Sequence, residues 1–140
     1  MILPPVGNLA IVSVEDRGVP NRERVLIRPM EPINLQEFIV ALAVRAPEGM
    51  VNPLHDHVFW FPELVVSPPA WLVLHTGPGT PTQATMPDTG QPAHIFFWGK
   101  LTTVLNQPEI TPVIFGLSSI LVPSTKAGER EAPGGLLTAR

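Results

Sequence analysis

The 140-residue chain contains no cysteine. Disulfide bonds, thiolate metal sites and cysteine nucleophiles are therefore excluded. The chain also lacks a run of about eighteen apolar residues, so it predicts no transmembrane helix. The first residues, Met1 to Pro5, lack a basic segment and are interrupted by prolines, which is atypical of a signal peptide. These absences favour a cytoplasmic location.

Positive charge is missing from the middle of the chain, because no lysine or arginine lies between Arg45 and Lys100. With a formal net charge of −3, this argues against a nucleic-acid or membrane partner. Arg22, Arg24 and Arg28 alternate with acidic residues, and we interpret them as part of a solvated strand and turn. Contact of these arginines with a polyanion is the alternative.

The 18 prolines and 11 glycines leave few windows for a helix. They favour about eight short strands with turns at regular spacing, the pattern of an all-β sandwich. The predicted strands are 9–14, 23–28, 38–44, 58–61, 71–76, 95–98 with a continuation at 101–105, 110–115 and 117–122. We expect one domain over residues 1–123 and a flexible tail over 124–140.

Alternation within these strands predicts which side chains point into the sandwich. The predicted core residues are Val25, Ile27, Phe38, Val40, Leu42, Phe59, Phe61, Leu72, Leu74, Phe97 and Phe115. The nearly continuous apolar segment 38–44 predicts a central strand.

Several segments follow one another in the order found in a known family. They are Glu23–Ile27, Pro32–Phe38, Phe59-Trp60-Phe61-Pro62, Val66-Ser67-Pro68-Pro69, Trp71–Thr80, Phe97-Trp98-Gly99-Lys100 and Val104-Leu105-Asn106. Together they resemble the lamin-tail domain over roughly residues 9 to 122. The resemblance implies an immunoglobulin-like β-sandwich without fixed catalytic residues. Such domains contact other proteins and possibly DNA in nuclear lamins, and in bacteria they are often attached to secreted or membrane enzymes.

The chain departs from the family pattern in its turns. Pro69 replaces a turn glycine, Pro29 stands where an asparagine commonly follows the second strand, and 106–109 replaces an Asn-Gly-Asp turn. Any partner role that depends on those loops cannot be transferred from the family.

The positions of the histidines suggest a metal site as an alternative. His55 and His57 form a His-x-His pair, which suits a divalent metal, and a cupin would add Glu63 and His94. The spacings differ from the cupin pattern by one or two residues, and each such slip turns a strand side chain to the opposite face. We therefore expect no metal, and we keep a cupin-like metal-binding β-barrel enzyme as the alternative function.

Other residues point to a binding module and not to an enzyme. No Gly-x-Ser-x-Gly segment occurs, Gly77–Thr80 lacks the lysine of a phosphate loop, and Asp-rich calcium loops are absent. No catalytic residue and no cofactor are therefore predicted. Trp60 and Trp71 would face away from the core and are the candidate partner-binding residues. The sparsely charged strand 95–98, taken as a sheet edge, predicts a homodimer. The sequence thus predicts a non-catalytic module for protein contact or self-association.

Overall fold

The computed structural model describes residues 3–124, which form ten β-strands and two short 3-10 turns. The strands are β1 (Leu9–Glu15), β2 (Arg24–Pro29), β3 (Ile33–Asn34), β4 (Phe38–Arg45), β5 (Val51–Trp60), β6 (Val65–Val66), β7 (Trp71–His75), β8 (Thr82–Thr85), β9 (Pro92–Phe97) and β10 (Ile110–Gly116). The 3-10 turns are Leu35–Glu37 and Pro47–Gly49.

Two sheets carry the fold. The five-stranded sheet has the order β1-β2-β7-β9-β8, and the three-stranded sheet has the order β10-β4-β5. Neighbouring strands are antiparallel, except that β7 and β9 are parallel. Strands β3 and β6 pair separately. The predicted all-β sandwich is confirmed.

The core lies between the two sheets, and alternation determines which residues enter it. On β2, Val25 and Ile27 are fully buried, while Arg24, Leu26 and Arg28 point outward and are half-buried. Most of the predicted core residues belong to the buried cluster or pack against it. The strand residues of that cluster are Leu9, Val25, Ile27, Ile33, Phe38, Val40, Leu42, Val66, Leu72, Leu74 and Phe96. Both sheets contribute to one continuous apolar layer.

The inward positions predicted for Phe97 and Phe115 are wrong. Phe96 is the buried residue on β9, and the ring of Phe97 stacks on His75 at 5.1 Å on the opposite face. On β10 the half-buried side chains that pack against the core are Ile110 and Ile114, so Phe115 points outward. In each case the two adjacent positions are both large and apolar, so alternation could not assign the faces.

Two predicted strands are also wrong. Residues 101–105 form no strand, because the backbone N–H groups of Val104 and Leu105 bond to a side chain and not to a neighbouring strand. Residues 117–122 form no hairpin with β10, since Leu117 donates its N–H to the Glu37 carbonyl and the chain then leaves the sheet. An edge strand, β8, lies instead within the predicted loop 77–92.

The prediction that residues 95–98 form a sheet edge is also wrong. Strand β9 is paired on both sides, with β7 and β8, so it offers no free edge to a second copy.

Within residues 3–124, no helix is long and apolar enough to cross a membrane. Apart from Ser124, the predicted tail lies outside the described residues.

Candidate functional site: the outer face of the three-stranded sheet

Strand β4 is apolar on both of its faces. No polar residue occurs from Phe38 to Val44, so the outward residues Ile39, Ala41 and Ala43 are as apolar as the inward ones. Antiparallel sheets with one solvated face normally alternate apolar and polar side chains. The three-stranded sheet departs from that pattern on the face turned away from the core.

Residues directly opposite each other on neighbouring strands share a face, and the pairings show how far this apolar surface extends. The rows across β10, β4 and β5 are Phe115–Ile39–Trp60, Val113–Ala41–Val58 and Thr111–Ala43–Pro53. These nine residues are named the apolar outer face. None is charged, and Trp60 and Val58 are 47% and 50% exposed.

The side chains of the apolar outer face differ in size, so the surface has a shallow depression at Ala41. Ala41 is only 3% exposed because the larger side chains of Val58 and Val113 flank it on the two neighbouring strands. Along β10 an open groove of about 700 Å³ separates the face from the N-terminal segment, with Leu3, Val113 and Phe115 in its lining. The surface can therefore receive projecting apolar side chains.

The indole of Trp60 is held in place by the chain. Its Nε1–H donates to the Gln36 carbonyl oxygen over 2.7 Å. A second groove lies beside it, lined by Leu117 and Ile120 among others. A tryptophan fixed in this way loses little freedom on binding and suits the role of an aromatic anchor.

Opposite charges flank the two ends of the apolar outer face. Glu37 immediately precedes β4, and Arg45 ends it; both are exposed. The Arg45 guanidinium donates to the Thr111 hydroxyl over 3.3 Å. Within the described chain, the ion pairs all involve Asp16, so neither Glu37 nor Arg45 has an oppositely charged partner.

Trp71 lies on the other sheet and is separate from Trp60. On β7 it faces away from the core, as predicted, and it is half-buried. Its Nε1–H donates to the Gln91 side chain over 2.8 Å, and the Arg28 guanidinium lies 4.6 Å from its ring centre. The two tryptophans therefore do not form one surface.

The candidate metal ligands are not brought together. His55 and His57 lie in a bulge of β5, where Val58 pairs with Ala41 but Pro53 pairs with Ala43, so β5 carries three extra residues. His94 lies on β9 in the other sheet, and Glu63 follows β5. Between residues 3 and 124, no three His, Asp or Glu side chains form a group that could hold a metal ion.

The arginines of the N-terminal half are engaged within the protein. Arg24 and Arg22 contact the Asp16 carboxylate at 2.7 and 3.5 Å. The hydrogen bond from Arg24, with the charges of both arginines, outweighs partial desolvation and lowers the pKa of Asp16. Burial, with the charge of Arg24, also lowers the pKa of His75. A polyanion would have to compete with the Asp16 carboxylate for two of the three arginines.

Glu23 is a buried carboxylate that sequence reasoning did not single out for this role. It is 1% exposed and accepts hydrogen bonds from the N–H groups of Gly18, Val104 and Leu105 (2.9 Å each) and from the Thr76 hydroxyl (2.7 Å). Burial alone would raise the pKa of Glu23, but these four bonds outweigh it and lower the pKa. Its acceptor capacity is used by the protein itself, which is the signature of a structural group.

Sequence reasoning identified Trp60 but missed the surface around it. The signal is present in the nearly continuous apolar segment 38–44, from which the sequence predicts only a central strand. Glu37 and Arg45 carried no sequence signal, because their positions at the two ends of one face depend on the start and end of β4.

No family model, curated protein or solved structure matches the chain. The fold and the site define an all-β sandwich with one uncharged, partly exposed sheet face. Function is therefore inferred from the geometry of this face.

Proposed function

We propose that the chain is a non-catalytic module that binds another protein through the apolar outer face. The observation that carries this proposal is the sequence of three strand-to-strand rows without a charged side chain, centred on β4. Contiguous exposed apolar surface lowers solubility, and monomeric proteins keep it small unless it serves an interaction. A protein surface of apolar side chains is the partner chemistry that complements it.

The exposure of the large side chains on this face supports a role in binding, since side chains that only covered the core would be buried. Val58 is 50% exposed although it pairs with the buried Ala41, and Trp60 is 47% exposed although it pairs with the half-buried Ile39. Burying a large apolar side chain gains about 1.5–3 kcal/mol. Within residues 3–124 both side chains stay only partly covered, so a partner that covers them would gain much of this free energy.

Selection of binding peptides tests the proposal directly, because it reports which side-chain chemistry the face accepts. A random peptide library would be panned on the full chain and then compared on Val58→Lys, which places an ammonium group in the middle row. Val12→Lys is the matched control, because Val12 is also 50% exposed but lies on β1 in the other sheet.

We expect selected peptides to be rich in apolar residues and to bind Val58→Lys at least about tenfold more weakly, as is typical for loss of a central contact. Binding to Val12→Lys should be unchanged. Peptides that bind all three proteins equally, or failure to select any peptide, would overturn the proposal.

A further inference from the structure

We infer that the partner of the apolar outer face is a second copy of this chain, packed sheet on sheet with the two β4 strands antiparallel. This inference rests on the proposed function and names the occupant of the same surface. It differs from edge-to-edge pairing, because the contact is made by side chains on the face.

The absence of charge makes the face self-complementary. In a two-fold interface the same patch meets itself, so any charged side chain near the axis would meet its own copy. The three rows contain none. With the two β4 strands antiparallel, the row of large side chains, Phe115–Ile39–Trp60, lies opposite the partner's row of smaller ones, and Val58 meets its own copy at the axis. The net charge of −3 is also too small to keep two copies far apart.

The charges at the ends of the face select one orientation. A two-fold axis along the strands would place Glu37 near the partner's Glu37. An axis in the interface plane but across the strands reverses β4, and it places Glu37 near the partner's Arg45 at both ends. Within residues 3–124 neither side chain forms an ion pair, and the Arg45 guanidinium, which donates to the Thr111 hydroxyl, lies at the end of the face where the partner's Glu37 would come.

The size of the face sets the strength of the dimer. The three rows extend about 16 Å along β4 and about 14 Å across the strands, which gives on the order of 200 Å² per copy. Including the flanking Glu37 and Arg45 extends the contact to about 30 Å along β4, on the order of 400 Å² per copy. A standard interface buries about 800 Å² per partner. We therefore expect a reversible dimer with a dissociation constant in the micromolar range or weaker, extended in part by exposed side chains such as Ile120.

Sedimentation of the full chain at low ionic strength, from about 10 µM to about 1 mM, brackets that range. We expect a monomer–dimer equilibrium that Val58→Lys abolishes and Val12→Lys leaves intact. A wild-type chain that stays monomeric, or a dimer that survives Val58→Lys, would overturn the inference.

Charge reversal tests the orientation. Glu37→Lys and Arg45→Glu each convert two attractions into two repulsions, so each should weaken dimerisation about tenfold. The double variant restores opposite charges across the axis and should recover dimerisation to within about threefold of wild type. Additive losses in the double variant would refute the antiparallel arrangement.

The two proposals fail in different ways. If the wild-type chain stays monomeric but peptide binding still depends on Val58, the dimer is overturned and the proposed protein binding stands. If neither peptide binding nor dimerisation depends on Val58, both proposals are overturned. Thermal unfolding of each variant confirms that the exposed substitutions leave the fold intact.

Discussion

Replacing Glu23 with glutamine should destabilise the domain strongly while changing no apolar contact. Its two carboxylate oxygens each accept two hydrogen bonds, over 2.7–2.9 Å. A glutamine side chain keeps one of these oxygens and turns an NH₂ group toward the donors at the other position. With the NH₂ group at the Oε2 position, the N–H groups of Gly18 and Leu105 lose their acceptor. With the NH₂ group at the Oε1 position, the Val104 N–H loses its acceptor, while the Thr76 hydroxyl can rotate and accept from the amide.

The magnitude follows from the one or two backbone donors that are left without an acceptor. Each unsatisfied buried donor costs about 1–3 kcal/mol, and removal of a buried charge returns part of that cost. The expected loss in the free energy of unfolding is about 2 kcal/mol, or roughly 7 °C in melting temperature for a domain of this size. Urea unfolding should give a lower midpoint with an unchanged m-value.

Glu63→Gln is the matched control, since Glu63 is exposed. It should change the free energy of unfolding by less than about 0.5 kcal/mol. A Glu23→Gln variant within that same margin of wild type would refute the assignment of Glu23 as the group that holds three segments together.

The same carboxylate should give stability a defined pH dependence. Its pKa in the folded protein lies below the ordinary value of 4.5, so its contribution is fully present above pH 4.5. The contribution is lost as the pH falls through the lower folded-state pKa. The stability difference between wild type and Glu23→Gln should therefore be largest near neutral pH and should narrow in acid; a difference that widens in acid would contradict the shift.

Two further substitutions test the packing of the loops. Arg17→Ala should cost about 1–2 kcal/mol in urea unfolding, because Nη1 of Arg17 donates to the carbonyls of Leu105, Gln107 and Ile110 over 3.0–3.3 Å; Arg22→Ala, at an exposed ion pair, is the weaker control. Gly79→Ala should lower the melting temperature by several degrees, because an added Cβ would lie 2.4 Å from the Phe97 ring, and an unchanged melting temperature would contradict that contact.

The sequence predicted the sandwich because its two layers are encoded locally. In 24–28 the arginines at the two ends indicated the outward positions, and Val25 and Ile27 were placed in the core correctly. In 71–75 Leu72 and Leu74 were also placed correctly, although the intervening Val73 is buried as well. Prolines and glycines marked many turns. These signals need only neighbouring residues, and therefore a single sequence sufficed.

Alternation failed where adjacent residues were both large and apolar. The pairs Phe96–Phe97 and Ile114–Phe115 give no contrast between faces, so the inward member could not be assigned. Segment 101–105 failed for another reason. Its backbone donors bond to Glu23, which lies about eighty residues earlier in the chain, and no local pattern reports such a distant acceptor.

The outer faces of the two sheets differ in their charged side chains, and this difference bears on the role of the apolar outer face. The outer side of the five-stranded sheet carries the apolar row Leu26–Val73–Ile95, but Arg24 and Arg28 lie on either side of this row. The Arg28 guanidinium lies 4.6 Å from the ring centre of Trp71. The three-stranded sheet has apolar side chains at the equivalent positions around β4. Because both outer faces belong to the same small domain, solvation alone would favour polar residues on both. The asymmetry is accounted for if one sheet faces water and the other faces a partner.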